Sequence, residues 1–220
     1  MTKKFHEELQ ELKYDVMRMG LFAGNMLSKA IEALKKRDTK LAEFVLSQKI
    51  QLGEMDNEIE AKALQLLTLY QPMATDVRTV ACSLKLITYL TRIGRYGKDI
   101  SNIAIVLEKE PINGVLKLIK IPQMGELAEQ MIDDALNAFY TNDLSLINPE
   151  ELVERDDDLD SLRHSIFREC VSYMIEDPRK IHVCTQYIMV GRYLERCGDH
   201  ACKMAEKVHY MVTGKRIDIS

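Results

Sequence analysis

The stretch Arg192-Tyr193-Leu194-Glu195-Arg196-Cys197-Gly198-Asp199-His200 carries two carboxylates four residues apart. On a helix Glu195 and Asp199 lie on one face, a turn apart. Like charges so placed destabilise the helix unless a cation sits between or across from them. A structural ion pair with Arg192 or Arg196 would meet that need, and so would a metal ion. Asp156 and Asp160 repeat the spacing upstream, beside an apolar stripe of Leu159, Leu162, Ile166 and Cys170. If the two helices pack antiparallel, four carboxylates converge in an oxygen-rich setting suited to iron, manganese, magnesium or calcium. Gly198 in mid-helix costs about 1 kcal/mol relative to Ala. Close approach of a neighbouring backbone or ion would offset that.

Asp56 and Glu60 form a third acidic pair, to which Asp99 could add a ligand. The positions that match Glu195 and Asp199 in this half are Thr91 and Arg95. Arg95 stands four before Asp99, so an Arg95–Asp99 ion pair is expected and any site here should be weaker, different or absent. A solvated helix face is the ordinary alternative for every one of these pairs. Other chemistry finds less support. A ferritin-like di-iron centre needs two Glu-x-x-His helices plus two more glutamates, and the sequence offers one such spacing, Glu206-x-x-His209. His164, at the position taken to match Glu60, reads as a surface or capping residue before a ligand. No Gly-rich phosphate loop or nucleophile elbow is present. The five cysteines form no C-x-x-C pair, so they read as reduced, mostly buried thiols.

The elements that must hold these residues are long helices. Five prolines in 220 residues, at 72, 111, 122, 149 and 178, leave runs far longer than the 8–12 residues between turns of a sandwich or barrel. Leu9, Leu12, Val16, Met19, Ala23, Met26, Ala30 and Leu34 make one apolar stripe at spacings of three and four. Lys35, Lys36 and Arg37 suit a helix C-terminus, and Asp38 or Thr39 can cap the next helix. A second helix should end at Gln71-Pro72, and a third should start at Thr75 and Asp76 and break at 110–114. In the second half a helix after Pro122 should run to about Tyr140. The next enters at Pro149 and ends at Glu176-Asp177-Pro178, and a last one spans about 179–212.

This plan is an internal repeat. Met26, Ala30, Ala33 and Asp38 match Met131, Ala135, Ala138 and Asp143, and Tyr89-Leu90-x-Arg92-x-Gly94 matches Tyr193-Leu194-x-Arg196-x-Gly198. At the same offset Asp56 falls on Asp160. The fold class is therefore all-α, two tandem antiparallel three-helix bundles: 1–110, a linker at 111–122, and 123–220. The apolar linker suits packing between the bundles or contact with a second chain, as in a homodimer. The 12 methionines fall mostly at stripe positions and read as core filler.

Charge and hydropathy narrow the partners. With 30 basic and 34 acidic residues the net charge is −4, which argues against nucleic acid. No apolar run reaches transmembrane length, so no direct membrane insertion is expected. The basic start turns acidic where a signal peptide needs its apolar stretch, pointing to the cytoplasm.

Two of these segments match a known family. Gln71-Pro72-x2-Thr75-Asp76-Val77-Arg78 resembles the Q-P-x-A-[ST]-D-L-R signature of PhoU proteins, and Tyr193–His200 resembles that family's E-R-I-G-D-H stretch. The resemblance covers essentially the whole chain. It implies a cytoplasmic, non-enzymatic regulator of phosphate uptake and phosphate-starvation signalling. Its partners would be the ATPase subunit of the phosphate ABC transporter and a sensor histidine kinase, with signalling suppressed when phosphate is plentiful. Some members carry iron or other metal clusters at E/D-x-x-x-D motifs. Carried over, that motif lands on Glu195 and Asp199, on Asp156 and Asp160, and on Asp56 and Glu60. It fails at Thr91 and Arg95, so at most one well-formed site is expected, in the second bundle. An adaptor for another transporter, or a helical metal-storage or di-metal protein, remains the alternative.

Overall fold

The computed structural model describes residues 3–70, 72–110 and 120–219. Its elements are α1 (Lys3–Lys36), α2 (Thr39–Ser47), α3 (Lys49–Tyr70), α4 (Ala74–Glu108), α5 (Lys120–Thr141), α6 (Pro149–Glu176) and α7 (Ile181–Thr213), with short 3-10 turns at Leu144–Ile147 and Pro178–Lys180. No strand occurs among the described residues. The linker expectation falls largely on 111–119, outside them, while Ile121 and Pro122 belong to the first turn of α5, where a proline's missing N–H costs nothing.

Local chemistry sets the ends. Asp38 accepts from the Leu41 amide at 3.0 Å, and its counterpart Asp143 accepts from the Ser145 amide at 2.9 Å. Asn148 caps α6 ahead of Pro149 by accepting from Glu150 N. Just before each aspartate the chain takes a left-handed turn, Arg37 at φ 54° and Asn142 at φ 61°. Asn tolerates this conformation readily; Arg bears a strain of about 1–2 kcal/mol. The Arg37 guanidinium offsets it by donating to the carbonyls of Leu107 (2.7 Å), Glu108 (2.7 Å) and Glu110 (3.0 Å), a cation placed on the C-terminal end of α4.

The middle helix of the first repeat differs from expectation. It is divided at Gln48, whose amide reaches back only three residues, to Val45 O at 3.1 Å. The tighter turn separates α2 from α3 although neither Gly nor Pro marks the spot.

Buried positions fix the true register of the repeat. Those of α1 recur in α5 at a separation of 105, as Gly20 with Gly125 and Ile31 with Leu136. Those of α4 recur in α7 at 104. The middle helices follow neither value: Val45, Leu52, Ile59 and Ala63 match Leu152, Leu159, Ile166 and Cys170 at 107. Glycines confirm it, since Leu52 lies against Gly94 and Leu159 against Gly198. The second copy has two extra residues before its middle helix and three fewer in the turn after it. Asp56 is therefore the counterpart of Arg163, not of Asp160.

In the first repeat α4 packs on α1 and on α2 and α3; in the second, α7 packs on α5 and α6. The repeats then meet α1 on α5 and α4 on α7. Gly20 receives Leu136, and Gly125 receives Ile31. Tyr96 stacks on Tyr193 at 5.5 Å while Tyr89 meets His200 at 5.5 Å. Each member of either pair of contacts is the repeat image of the other, so a pseudo-two-fold axis runs through the molecule and the interface is isologous.

Candidate functional site

Antiparallel packing of α6 and α7 brings Asp156, Asp160, Glu195 and Asp199 to one face, as their spacing required. Gly198 is what lets α6 approach: a Cβ there would collide with Leu159 and stand 3.5 Å from Asp156 Oδ1. Asp156 feels the crowding most. Burial first, then Asp199, Asp160, Asp157 and Glu195, push its carboxyl up from 3.8 to about 6. Burial and neighbouring carboxylates likewise raise Glu195 and Asp199, against the opposing pull of Arg192 and Arg163 on the first and Arg196 on the second.

The cation that answers this charge is an arginine that the sequence reading passed over. Arg163 Nε lies 3.5 Å from Asp160 Oδ1 and 3.6 Å from Glu195 Oε1, tying α6 to α7. Arg192 approaches Glu195 Oε2 at 3.8 Å, beyond hydrogen-bond reach, and that buried oxygen has no hydrogen-bond partner. The orphan acceptor and the hard-oxygen donor set suit a cation. As placed, though, the side chains do not fit a metal, because no three His, Cys, Asp or Glu among the described residues come together as a ligand group. His164, exposed beside Arg163, plays the surface part expected of it.

The first repeat inverts the polarity at matching positions. Thr91, the counterpart of Glu195, donates to Asp56, the counterpart of Arg163, at 2.9 Å. Glu60 is exposed. Asp99 pairs with its neighbour Lys98 at 2.7 Å rather than with Arg95, and it influences Tyr193 across the repeat interface. Asp56, Glu60 and Asp99 form no three-residue ligand group among the described residues, and the register shift sets Asp56 against Thr91 instead of against an acidic residue. The Glu206-x-x-His209 spacing also serves the fold. Glu206 is buried with Lys203 at 2.7 Å and accepts from the Ile219 amide at 3.3 Å, while His209 Nδ1 meets Lys215 O at 3.1 Å. Both residues hold down the segment 214–219.

His200, at the end of the 192–200 stretch, faces the other repeat. It is buried between Tyr89 and Tyr96, its Nε2 lacks a partner, and burial with help from Arg92 and Arg196 lowers it from 6.5 to about 4. Its match to Tyr96 in the repeat, a ring for a ring, was the available signal. In the first signature segment, Arg78 Nε donates to Met211 O at 3.1 Å, fastening the start of α4 to the end of α7. All five cysteines are buried and free.

The family model of the PhoU domain matches residues 16–104 and again 121–208. The phosphate-specific transport system accessory protein PhoU homolog of Caulobacter vibrioides is 37% identical over 217 residues, covering 98% of this chain and 93% of its own. The homolog of Clostridium acetobutylicum is 35% identical with both chains fully covered. Among solved structures, PhoU from Pseudomonas aeruginosa superposes with a TM-score of 0.89 at 31% identity, over 96% of this chain and all of the other. The phosphate transport system regulatory protein PhoU from Streptococcus pneumoniae gives 0.86 at 26% identity, over 97% and 99%.

Proposed function

Since the chain belongs to the PhoU family through both of its repeats, we propose that it is an accessory regulator of phosphate-specific transport that works in the cytoplasm by protein contact and not by catalysis. The observation that carries the reading is 35–37% identity to phosphate-specific transport accessory proteins over 98–100% of this chain and 93–100% of theirs. The geometry supports it. The two hairpin turns, at matching places in the repeats, each expose large apolar side chains: Leu69 and Met73 (71% exposed) in one, Ile175 (78%) and Ile181 in the other. Such side chains on rigid helical ends are suited to docking on partner helices.

The partners on this reading are the ATPase subunit of the phosphate ABC transporter and a sensor histidine kinase, and the effect is negative: starvation genes stay off while phosphate is plentiful. Affinity purification of the tagged chain from phosphate-replete cells should recover the ATPase, and deletion should switch on starvation genes in phosphate-rich medium. Absence of both effects would remove the proposal. Iron or another metal at Asp156, Glu195 and Asp199 would require Arg163 to withdraw. Metal analysis after loading with manganese should therefore find less than one ion per chain in the native protein and more in Arg163→Ala; equal content in the two would contradict this.

A further inference from the structure

We propose that the cavity between the start of α4 and the end of α7 binds a small phosphate monoester with a flat organic body. The cavity measures about 310 Å³, at the small end of ligand sites, which run from about 300 to 1,000 Å³. Four cations line it, Arg78 and Lys85 from α4, Lys207 from α7 and Arg216 from the segment that follows, against one carboxylate, Glu206. That carboxylate is already engaged by Lys203 at 2.7 Å, Lys207 at 3.6 Å and the Ile219 amide. Arg78, Lys85 and Arg216 have no carboxylate partner among the described residues: Arg78 donates to Met211 O and Thr75 Oγ1, and Arg216 lies 5.7 Å from the Tyr210 ring. In a protein of net charge −4, three uncompensated cations around one hollow concentrate positive potential where an anion can use it. Guanidinium groups add the fork that matches phosphate oxygens.

Charge alone would be met by free orthophosphate. The remaining walls say more. Ala81, Tyr210 and Ile217 give the cavity an apolar side, and an aromatic ring such as that of Tyr210, with the Arg216 guanidinium over it at 5.7 Å, can pack against a planar group. An anion at one end and a flat apolar body at the other fit this division. The outer wall is also pre-set. Gly214, at φ 73°, turns the chain out of α7, and Ile219 is buried with its amide on Glu206, so Arg216 and Ile217 are presented by a segment fixed at both ends. The site lies apart from the α6–α7 carboxylates, and nothing in it depends on the role proposed above.

Calorimetric titration of the whole protein with AMP and with orthophosphate tests the assignment. AMP should bind with Kd below about 1 mM, at least tenfold more tightly than orthophosphate. The double variant Lys85→Ala/Arg216→Ala should weaken AMP tenfold or more; both side chains are exposed, and an unchanged thermal melt verifies the fold. Tyr210→Ala should weaken AMP while leaving orthophosphate as it was. No AMP heat at millimolar concentration, equal affinity for the two ligands, or undiminished AMP binding by the double variant would overturn the proposal.

Discussion

Asp156 carries an electrostatic cost in the second repeat, because it is partly buried and four acidic neighbours surround it while the guanidinium of Arg163 faces Asp160 and Glu195. Its carboxyl holds a proton to about pH 6 in the folded protein and to 3.8 ordinarily. Between those values the folded state binds more protons than the unfolded one, so this residue's contribution to stability falls as pH rises and is fully unfavourable above 6. Asp156→Asn removes that penalty. It should stabilise the protein at pH 7.5 by about 1 kcal/mol, after allowance for solvent screening of a half-exposed group, and by nearly nothing at pH 4. Paired urea melts at the two pH values read the difference; an equal increment at both would mean the carboxylates do not repel as described. His200 shifts the other way, losing stability as pH falls from 6.5 toward 4, but both proteins carry it and it cancels. The acidic face was legible in the sequence, since i,i+4 spacing is a helix property. Its arginine was legible too, at i+7 from Asp156, but a single repeat offset placed Asp160 where Arg163 belongs and concealed the inversion from Thr91–Asp56 to Glu195–Arg163.

At the scale of helices, closeness of approach is set by a few small residues. A Cβ on Gly97 of α4 would stand 2.9 Å from backbone atoms of Met26 and Leu27 in α1, which cannot move without parting two helices. A Cβ on Gly20 would meet the Leu136 side chain, whose branched end, and no backbone, supplies its nearest atoms. Gly97→Ala should accordingly cost about 3 kcal/mol and Gly20→Ala about 1 kcal/mol, the upper and lower parts of the range for overpacking. Urea unfolding of the two variants gives the order; a Gly20→Ala loss as large as that of Gly97→Ala would show that Leu136 gives way no more easily than the α1 backbone. Helix ends were largely readable, because Asp38, Pro149, Pro178 and Gly214 act locally through caps and fixed backbone angles. The division at Gln48 was not, since no residue type there forbids a helix and only the three-residue hydrogen bond records the change. The register shift of the middle helices was hidden for the same reason: turn lengths changed while both stripes stayed intact.

For the whole molecule the two repeats behave as the halves of an isologous dimer joined by a chain segment. Each half offers the other a glycine hollow and an aliphatic knob, Gly20 and Ile31 from one, Gly125 and Leu136 from the other, and completes the ring cluster of Tyr89, Tyr96, Tyr193 and His200. Lys13 crosses the same boundary, buried, with Nζ donating to Asn142 Oδ1 at 3.2 Å and 5.4 Å from the centre of the Phe139 ring. Separated halves would expose these apolar surfaces to water, and burying them again is the main drive for association. Segments 1–110 and 120–220, produced separately, should therefore be poorly soluble or only partly folded alone, and should form a one-to-one complex when refolded together. Size-exclusion chromatography with a thermal melt of each sample measures this. Two halves that each elute as monomers with their own cooperative melts would show that the repeats are independent domains, and that the pseudo-two-fold interface adds little to the stability of either.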